Sequence, residues 1–182
     1  MAATKTLLTA EDLFTLPDSG RWRELVRGEP VKMAPPGGAH GGIAGEIARL
    51  LGNFVQPHGL GHVLVEAGFV LARNPDTVRG PDVSFLAADR LSPEGLPEGY
   101  IEGPPTLAVE VRSPNDTSPE MQAKVADYVQ AGTPLVWVLD PRSRTVTVYE
   151  PGGTPQRLQS GDTLTAGTVL PGFAIQVHSL FE

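Results

Sequence analysis

The chain has 182 residues (19.3 kDa), of which 40% are hydrophobic and 19% charged, proportions that exclude a disordered protein or a coiled coil. Glycine (21) and proline (18) are about twice as frequent as usual, which favours many turns and short strands over a helical bundle. The absence of cysteine excludes a disulfide scaffold, and a net charge of −7 argues against simple electrostatic binding of DNA.

The acidic excess is concentrated in one part of the sequence. Residues 82–130 contain nine acidic side chains and three basic ones. Clustered carboxylates suit a site that holds a divalent cation. An acidic, solvated surface that keeps the protein soluble is an equally good interpretation.

Nothing in the sequence predicts a membrane protein. The densest apolar runs, at 106–109 and 135–139, are far shorter than the roughly 18 residues of a spanning helix. The first residues also lack the long apolar body of a signal peptide. We therefore expect a cytoplasmic protein.

The N-terminal half predicts two helices and a hairpin. A short helix is expected at 9–17, with Thr9 as its cap. Residues 21–34 read as a β-hairpin with Gly28 in the connection. In the segment 40–59, apolar residues recur with helical spacing and predict an amphipathic helix that ends before Pro57.

Strand patterns dominate the rest of the chain. They occur at 62–71, 82–86 and 106–112, and again in a hairpin and a β tail after residue 134. The clearest helix is 118–131, for which Ser118 can serve as the cap, Pro119 as the first helical residue and Gly132 as the end. This order of elements predicts one domain, 1–182, of the α/β (α+β mixed) class, with helices packed on a mixed sheet.

Three residues in this framework are candidates for chemistry. In the strand at 106–112, alternation puts Glu110 on the face opposite Leu107, Val109 and Val111, where a carboxylate is costly unless a positive group compensates it. Asp82 similarly opens the next strand-like run upstream. Lys124 borders the apolar stripe of the 118–131 helix and can extend toward the sheet.

Two acids and a lysine are the parts of a metal-dependent phosphodiester hydrolase. In such enzymes carboxylates hold Mg²⁺ or Mn²⁺, and a lysine orients the attacking water or offsets developing charge. A structural ion pair between Lys124 and one acid would have the same pattern. The residues alone leave both interpretations open.

Several segments in order resemble one known family. They are RGPDVSFL, PTLAVEVRSPND, the lysine in the next helix and GTPLVWVLDPRSRTVTVYEPGG, together with RWRELVRGE, HGGIAGEIARLLG and LPGFAIQVHSLF. These segments resemble the Uma-type restriction endonucleases, a branch of the PD-(D/E)XK nuclease superfamily, over almost the entire chain. The resemblance implies a restriction-endonuclease-like core and a site for Mg²⁺, with Mn²⁺ as a substitute.

The same resemblance implies roles for individual residues. Asp82 and Glu110 would be metal ligands, Lys124 the catalytic lysine and Glu24 an additional acid at the metal. The superfamily usually has a lysine two residues after the second acid, but this chain has Arg112 there, so the lysine role falls to Lys124 or to Arg112.

The remaining expectations concern the substrate and the partners. His40 can lie beside a phosphate or simply open the second helix, and Arg112 is a second candidate for substrate binding. The implied substrate is DNA, and a homodimer is expected by analogy, because cutting both strands usually takes two copies. The alternatives are a non-catalytic dimeric binding or scaffold protein of the same fold, and a metal-dependent hydrolase of a small phosphorylated substrate.

Overall fold

The computed structural model describes residues 6–17, 23–33, 35–114 and 116–182. Within these residues there are three α-helices: α1 (Ala10–Thr15), α2 (Gly38–Val55) and α3 (Ser118–Ala131). Short 3₁₀ helices occur at Ala88–Arg90 and Val177–Phe181. The strands are β1 (Arg23–Val26), β2 (Glu29–Lys32), β3 (Gly61–Val65), β4 (Phe69–Ala72), β5 (Thr77–Arg79), β6 (Val83–Ala87), β7 (Ile101–Glu102), β8 (Leu107–Val111), β9 (Leu135–Asp140), β10 (Thr145–Tyr149), β11 (Gln156–Leu158), β12 (Thr163–Ala166) and β13 (Leu170–Gln176).

The strands form three sheets. The largest has six strands in the order β11-β10-β9-β8-β6-β3, in which β8 and β9 are parallel and all other neighbours are antiparallel. A five-stranded sheet has the order β2-β1-β5-β4-β7, with only β4 and β7 parallel. Strands β12 and β13 form a separate pair. The predicted mixed α/β architecture is confirmed.

Helices cover both faces of the six-stranded sheet. Helix α2 packs on one face through Ile43, Ile47, Leu51 and Val55, against a core that includes Leu107, Val109 and Val111 of β8. On the opposite face, Met121, Val125 and Tyr128 of α3 pack on Ala108 of β8 and on Val136 and Val138 of β9. The alternation read from the β8 sequence is therefore the alternation of the two packed faces.

Helix α3 is bounded by two local signals. Thr117 is its N-cap and forms a capping box with Glu120, and Pro119 lies in the first turn. The sequence-based choice of Ser118 as the cap was wrong by one residue, because the hydroxyl one position earlier reaches the Glu120 N–H group. Gly132 ends the helix with φ of 96°, a left-handed conformation that glycine adopts at little cost.

The N-terminal hairpin is present as β1 and β2. Arg27 and Gly28 form its two-residue turn, both with positive φ. Residues 21, 22 and 34 of the expected hairpin lie outside the described residues. The expected β tail is also found, as β11, β12 and β13.

The expected continuous strand at 62–71 was wrong, because the chain changes sheets inside it. β3 pairs with β6 in the six-stranded sheet, whereas β4 pairs with β5 in the other. The break falls at Glu66, which has positive φ, and at Gly68, where the Tyr100 ring occupies the space that a Cβ atom would need. Glu66 and Gly68 interrupt the apolar pattern at this point, and a glycine inside a strand pattern is the local signal of such a break.

The two large sheets also meet at the connection from β5 to β6. Arg79 ends β5 in the five-stranded sheet, and after Gly80 and the buried Pro81, Asp82 leads into β6 of the six-stranded sheet. Side chains from both sheets therefore converge at this point. In the part of the chain that the structure describes, no helix combines the length and hydropathy needed to cross a membrane.

Candidate functional site

Two carboxylates come from neighbouring positions of the six-stranded sheet, Asp82 just before β6 and Glu110 within β8. The register of the antiparallel pair β6 and β8 aligns Val83 with Val109, so that the next pair along the strands is Asp82 and Glu110. Asp82 Oδ2 accepts a hydrogen bond from the N–H group of Val111 at 2.6 Å, which ties it to the end of β8. The two acids proposed from the sequence are thus brought together.

Glu110 is held by two side chains of α3. Its side chain is only 2% exposed, its Oε2 atom accepts a hydrogen bond from Lys124 Nζ at 3.0 Å, and its Oε1 atom accepts one from the Tyr128 hydroxyl at 2.8 Å. Lys124 and Tyr128 are four residues apart and therefore lie on one face of the helix. Helix α3 carries both side chains that contact the buried acid.

Lys124 connects the two sheets through its ammonium group. In addition to Glu110, its Nζ atom lies 3.4 Å from Oε1 of Glu24, which belongs to β1 in the five-stranded sheet. The lysine side chain is 15% exposed. Its position at the border of the apolar stripe therefore does direct its ammonium group to the acids.

Glu24 also contacts a second cation. Arg79 Nη1 donates to Glu24 Oε2 at 2.6 Å, and the Gly80 N–H group donates to Oε1 at 3.3 Å. Two further nitrogen atoms of Arg79 donate to Oδ2 of Asp127 on α3, at 2.6 and 2.9 Å. A continuous network of ion pairs therefore runs from Asp127 through Arg79, Glu24 and Lys124 to Glu110.

His40 lies next to Asp82. It belongs to the first turn of α2, is buried, and places Nε2 3.1 Å from Asp82 Oδ2. Its other ring nitrogen, Nδ1, is buried without a hydrogen-bond partner among the described residues. A histidine in this position orients the Asp82 carboxylate. A residue that only opened helix α2 would not need this contact between its ring and Asp82.

The environment shifts the pKa values of these groups. Burial raises the pKa of Glu110 to about 7; the charges of Asp82 and Glu24 act in the same direction, and the charge of Lys124 opposes them. For Lys124, burial alone would lower the pKa, but the attraction of Glu110 and Glu24 outweighs it and raises the pKa. The hydrogen bond to Asp82 raises the pKa of His40 against the effect of burial.

Arg112 does not join this cluster. Its guanidinium lies near the start of α3, with Nη2 3.3 Å from Ser118 Oγ, and its Nη1 atom is 3.7 Å from Asp140 Oδ2. Of the two basic residues considered for the lysine role, Lys124 is therefore the one that contacts Glu110. A role of Arg112 in substrate binding stays a prediction.

Comparison with known proteins bears on the family. The model of the Uma2 family, described as "Putative restriction endonuclease", matches residues 10–178. The chain belongs to the Uma2 family. A crystal structure described as a "putative nuclease belonging to DUF820", from Anabaena variabilis, matches with a TM-score of 0.85 and 20% identity, over 96% of this chain and 97% of that one. At this identity the likeness shows the fold. None of the curated proteins compared with the chain matches it.

The charge balance of this Uma2 site leaves an excess of negative charge. Four carboxylates (Glu24, Asp82, Glu110 and Asp127) face two permanent cations, Arg79 and Lys124, so the formal charge is −2 when all four are ionised. Within the described ranges, no group of three His, Asp or Glu side chains is already arranged to hold a metal ion. Both oxygens of Glu110 accept hydrogen bonds, from Lys124 and Tyr128, whereas the side-chain contacts of Asp82 within the described residues use Oδ2 alone.

Glu24 is in the cluster, but its oxygens face other groups. Oε2 is bound by Arg79, and Oε1 lies near the Gly80 N–H group and Lys124. Its expected role as a further metal ligand stays a prediction. In the present arrangement Glu24 holds Lys124 and Arg79 in place.

Two contributors to this Uma2 site were not found in the sequence. Tyr128 was assigned to the apolar stripe of α3, and only its position four residues after Lys124 could have suggested that its hydroxyl faces Glu110. Arg79 lies three residues before Asp82, but its partners Glu24 and Asp127 are distant in sequence. A long-range ion pair of this kind leaves no local pattern.

Proposed function

We propose that this chain is a divalent-metal-dependent endonuclease that hydrolyses phosphodiester bonds of DNA. The observation that carries the proposal is the placement of Asp82 and Glu110 side by side, with the ammonium group of Lys124 against Glu110. The family and the similar crystal structure, both described in terms of nucleases, support the same reaction class. The arrangement of the two acids and the lysine and the description of the family both support hydrolysis of a phosphate ester.

Asp82 and Glu110 would hold the metal ion, Mg²⁺ or in its place Mn²⁺. Among the residues that the structure describes, the side chain of Asp82 makes its contacts through Oδ2, and Oδ1 would be the atom that binds the ion. The net negative charge of the cluster favours a cation at this place, and the ion would have to displace the proton that Glu110 holds below about pH 7. When bound, such an ion supplies Lewis acidity toward the phosphate and lowers the pKa of water.

The residues around the metal ligands would have distinct tasks. Lys124 donates hydrogen bonds to an oxygen on which negative charge develops, and Glu24 fixes the position of the ammonium group. His40 orients Asp82, and Tyr128 orients Glu110. Because these side chains are buried, little reorganisation is needed when the substrate binds.

We further propose that the protein acts as a homodimer, since one site of this kind cuts one strand and two copies related by symmetry would cut both. Sedimentation equilibrium tests this directly. A dimer has twice the chain mass of 19.3 kDa. A monomeric mass at micromolar concentration, with or without duplex DNA, would contradict it.

Cleavage of supercoiled plasmid in the presence of Mg²⁺ or Mn²⁺ tests the proposed activity. We expect nicked and linear products with the native chain and none with Asp82→Asn or Glu110→Gln, both of which remove a ligand charge. Asp89→Asn is the matched control, because Asp89 is exposed and lies away from the cluster. It should cleave like the native chain.

Metal binding separates the proposal from its alternatives. Calorimetric titration with Mn²⁺ should show binding by the native chain and by Asp89→Asn, and much weaker binding by Asp82→Asn. If the native chain binds no divalent cation, the cluster is a buried ion-pair network and the nuclease proposal is wrong. Metal-dependent hydrolysis of a small phosphodiester without any binding of DNA would indicate a small substrate instead.

A further inference from the structure

A small polar cavity lies beside the proposed active site. Its volume is about 160 Å³, and it is bordered by the start of α3 and by strands β9, β10 and β11. Two arginines line it, Arg112 from the end of β8 and Arg157 from β11. Since about 10–15 Å³ of such volume holds one water molecule, the cavity has room for a single phosphate group.

Neither arginine is strongly neutralised. Arg112 forms one ion pair within the described residues, a long one in which its Nη1 atom lies 3.7 Å from Asp140 Oδ2. The other oxygen of Asp140, Oδ1, accepts hydrogen bonds from the backbone N–H groups of Arg142 and Ser143. Arg157 Nε donates to Thr145 Oγ1 at 3.3 Å, and within the described residues it forms no ion pair. With Asp140 as the one carboxylate in the lining, the cavity keeps a net positive charge inside an acidic protein.

The sheet register fixes the cavity relative to the metal ligands. Glu110, Val138, Thr147 and Arg157 are aligned across four adjacent strands, on the face that packs against α3. Arg112 follows Glu110 by two residues on the same face, about 6.7 Å along the strand. Val138, the β9 partner of Glu110, lines the cavity, so the cavity lies next to the proposed metal ligands on the face that packs against α3.

Hydroxyl groups complete the lining. Ser118, Thr145, Thr147 and Tyr149 all contribute to it, as does the amide side chain of Gln122. Arginine and hydroxyl donors are the usual partners of DNA phosphate oxygens. Tyr149 is the one aromatic residue of the lining, so the cavity lacks the series of aromatic side chains on which successive bases stack.

We propose that this cavity binds a single backbone phosphate adjacent to the one that is cleaved, through Arg112 and Arg157 together. The proposal rests on the proposed nuclease function, because it takes DNA as the substrate. It makes Arg112 a substrate-binding residue and not the catalytic cation. It also explains how an acidic protein can hold a DNA strand in register without a large basic surface.

Duplex binding in Ca²⁺ as a function of salt tests the subsite. Each neutralised phosphate contributes about 0.9 to the slope of log K against log salt for duplex DNA. Because both arginines face one phosphate, we expect Arg112→Ala/Arg157→Ala to lower the slope by about 0.9, and not by about 1.8 as two separate phosphates would require. The matched control is Arg49→Ala, an exposed arginine on α2, which should leave the slope unchanged.

Cleavage kinetics over a range of DNA concentrations, up to saturation, give a second readout. Arg112→Ala and Arg157→Ala should raise KM while the single-turnover rate stays within about threefold of the native rate, because neither side chain contacts the reacting phosphate.

If the native chain binds DNA and the double variant keeps the native slope, the subsite is wrong while the nuclease proposal stands. A loss of single-turnover rate in Arg112→Ala would also overturn the subsite and make Arg112 the catalytic cation. If the native chain binds no DNA at all, both proposals fail.

Discussion

Lys124 is the residue whose replacement best separates metal binding from catalysis. We expect Lys124→Ala to keep Mn²⁺ affinity within a small factor and to lower the plasmid cleavage rate by about 10²-fold or more, because the ammonium group stabilises developing charge and not the ion. Calorimetry and cleavage at saturating Mn²⁺ measure the two quantities. Lys32→Ala, on the exposed strand β2, is the matched control.

Lys124→Ala should also lower the free energy of unfolding of the metal-free protein. Removing one partner of a buried ion pair costs about 3 kcal/mol, since Glu110 then loses its cation, whereas Glu24 keeps Arg79. A divalent cation should restore part of this loss. Native cleavage in Lys124→Ala at saturating Mn²⁺ would contradict the assignment of the lysine role.

Glu110 makes metal binding dependent on pH. Its raised pKa of about 7 means that the metal-free folded chain holds a proton between about pH 4.5 and 7 that the unfolded chain has released. The contribution of Glu110 to stability is therefore present at low pH and is lost as the pH rises through 7. A metal ion needs the ionised carboxylate, so binding at pH 6.5 should release most of a proton, and binding at pH 8.5 almost none.

Calorimetry in buffers of different ionisation enthalpy measures this proton release. His40 also has a raised pKa and contacts Asp82, so His40→Gln is needed as a control and should still release the Glu110 proton. Tyr128→Phe removes a hydrogen bond that lowers the pKa of Glu110, and should move the release to higher pH. If metal binding released equal numbers of protons at pH 6.5 and pH 8.5, Glu110 would already be ionised in the metal-free protein at pH 6.5.

At the scale of elements, α3 is the part that assembles the site. It places Lys124, Asp127 and Tyr128 on one face, where they contact two different sheets. Its apolar residues anchor it on β8 and β9. The position of Lys124, the proposed catalytic lysine, is thus set by the packing of a helix and not by a loop.

The cap of α3 should affect stability without affecting catalysis. Thr117→Ala removes the hydrogen bond to the Glu120 N–H group and should lower the free energy of unfolding by about 1 kcal/mol. Thr117→Ser keeps the hydroxyl and should lose much less. Urea denaturation measures the difference. Because Lys124 lies about two turns further along the helix, both variants should cleave at the native rate, and a large loss would mean that the first turn itself contacts the substrate.

Sequence patterns predicted those features of the site that are local to one element. The alternation in β8 gave the face of Glu110, and the stripe on α3 gave the direction of Lys124, because both follow from the repeat of a single strand or helix. The division of residues 62–71 between two sheets and the partners of Arg79 depend on tertiary packing. No repeat within one element encodes contacts of that kind.

At the scale of the whole molecule, the net charge of −7 does not by itself prevent the binding of DNA. At 0.1 M salt, charges more than about 10 Å away are largely screened, so a bound phosphate responds mainly to the cluster around Asp82 and Glu110. That cluster has a formal charge of −2 when its carboxylates are ionised. A divalent cation would remove this local repulsion.

Binding of duplex DNA should therefore depend on a divalent cation. At 0.1 M salt, we expect Ca²⁺ to strengthen binding by about tenfold or more over EDTA, measured by fluorescence anisotropy with a labelled duplex. Asp82→Asn, which loses a ligand, should show almost no effect of Ca²⁺. If the native chain binds equally well in EDTA, the metal ion contributes nothing to holding the substrate.

The connection from β5 to β6 sets a limit on how this chain can change in length. Arg79 and Asp82 are only three residues apart. Arg79 is bound to Glu24 of the five-stranded sheet and to Asp127 of α3, whereas Asp82 is bound to Val111 of the six-stranded sheet. One residue added between them would have no room to loop out, because Pro81 is buried. The mostly exposed stretch 92–99 has no such ties to the site and can lengthen freely. As relatives diverge, insertions should therefore accumulate there, while the spacing from Arg79 to Asp82 stays constant wherever the site is kept.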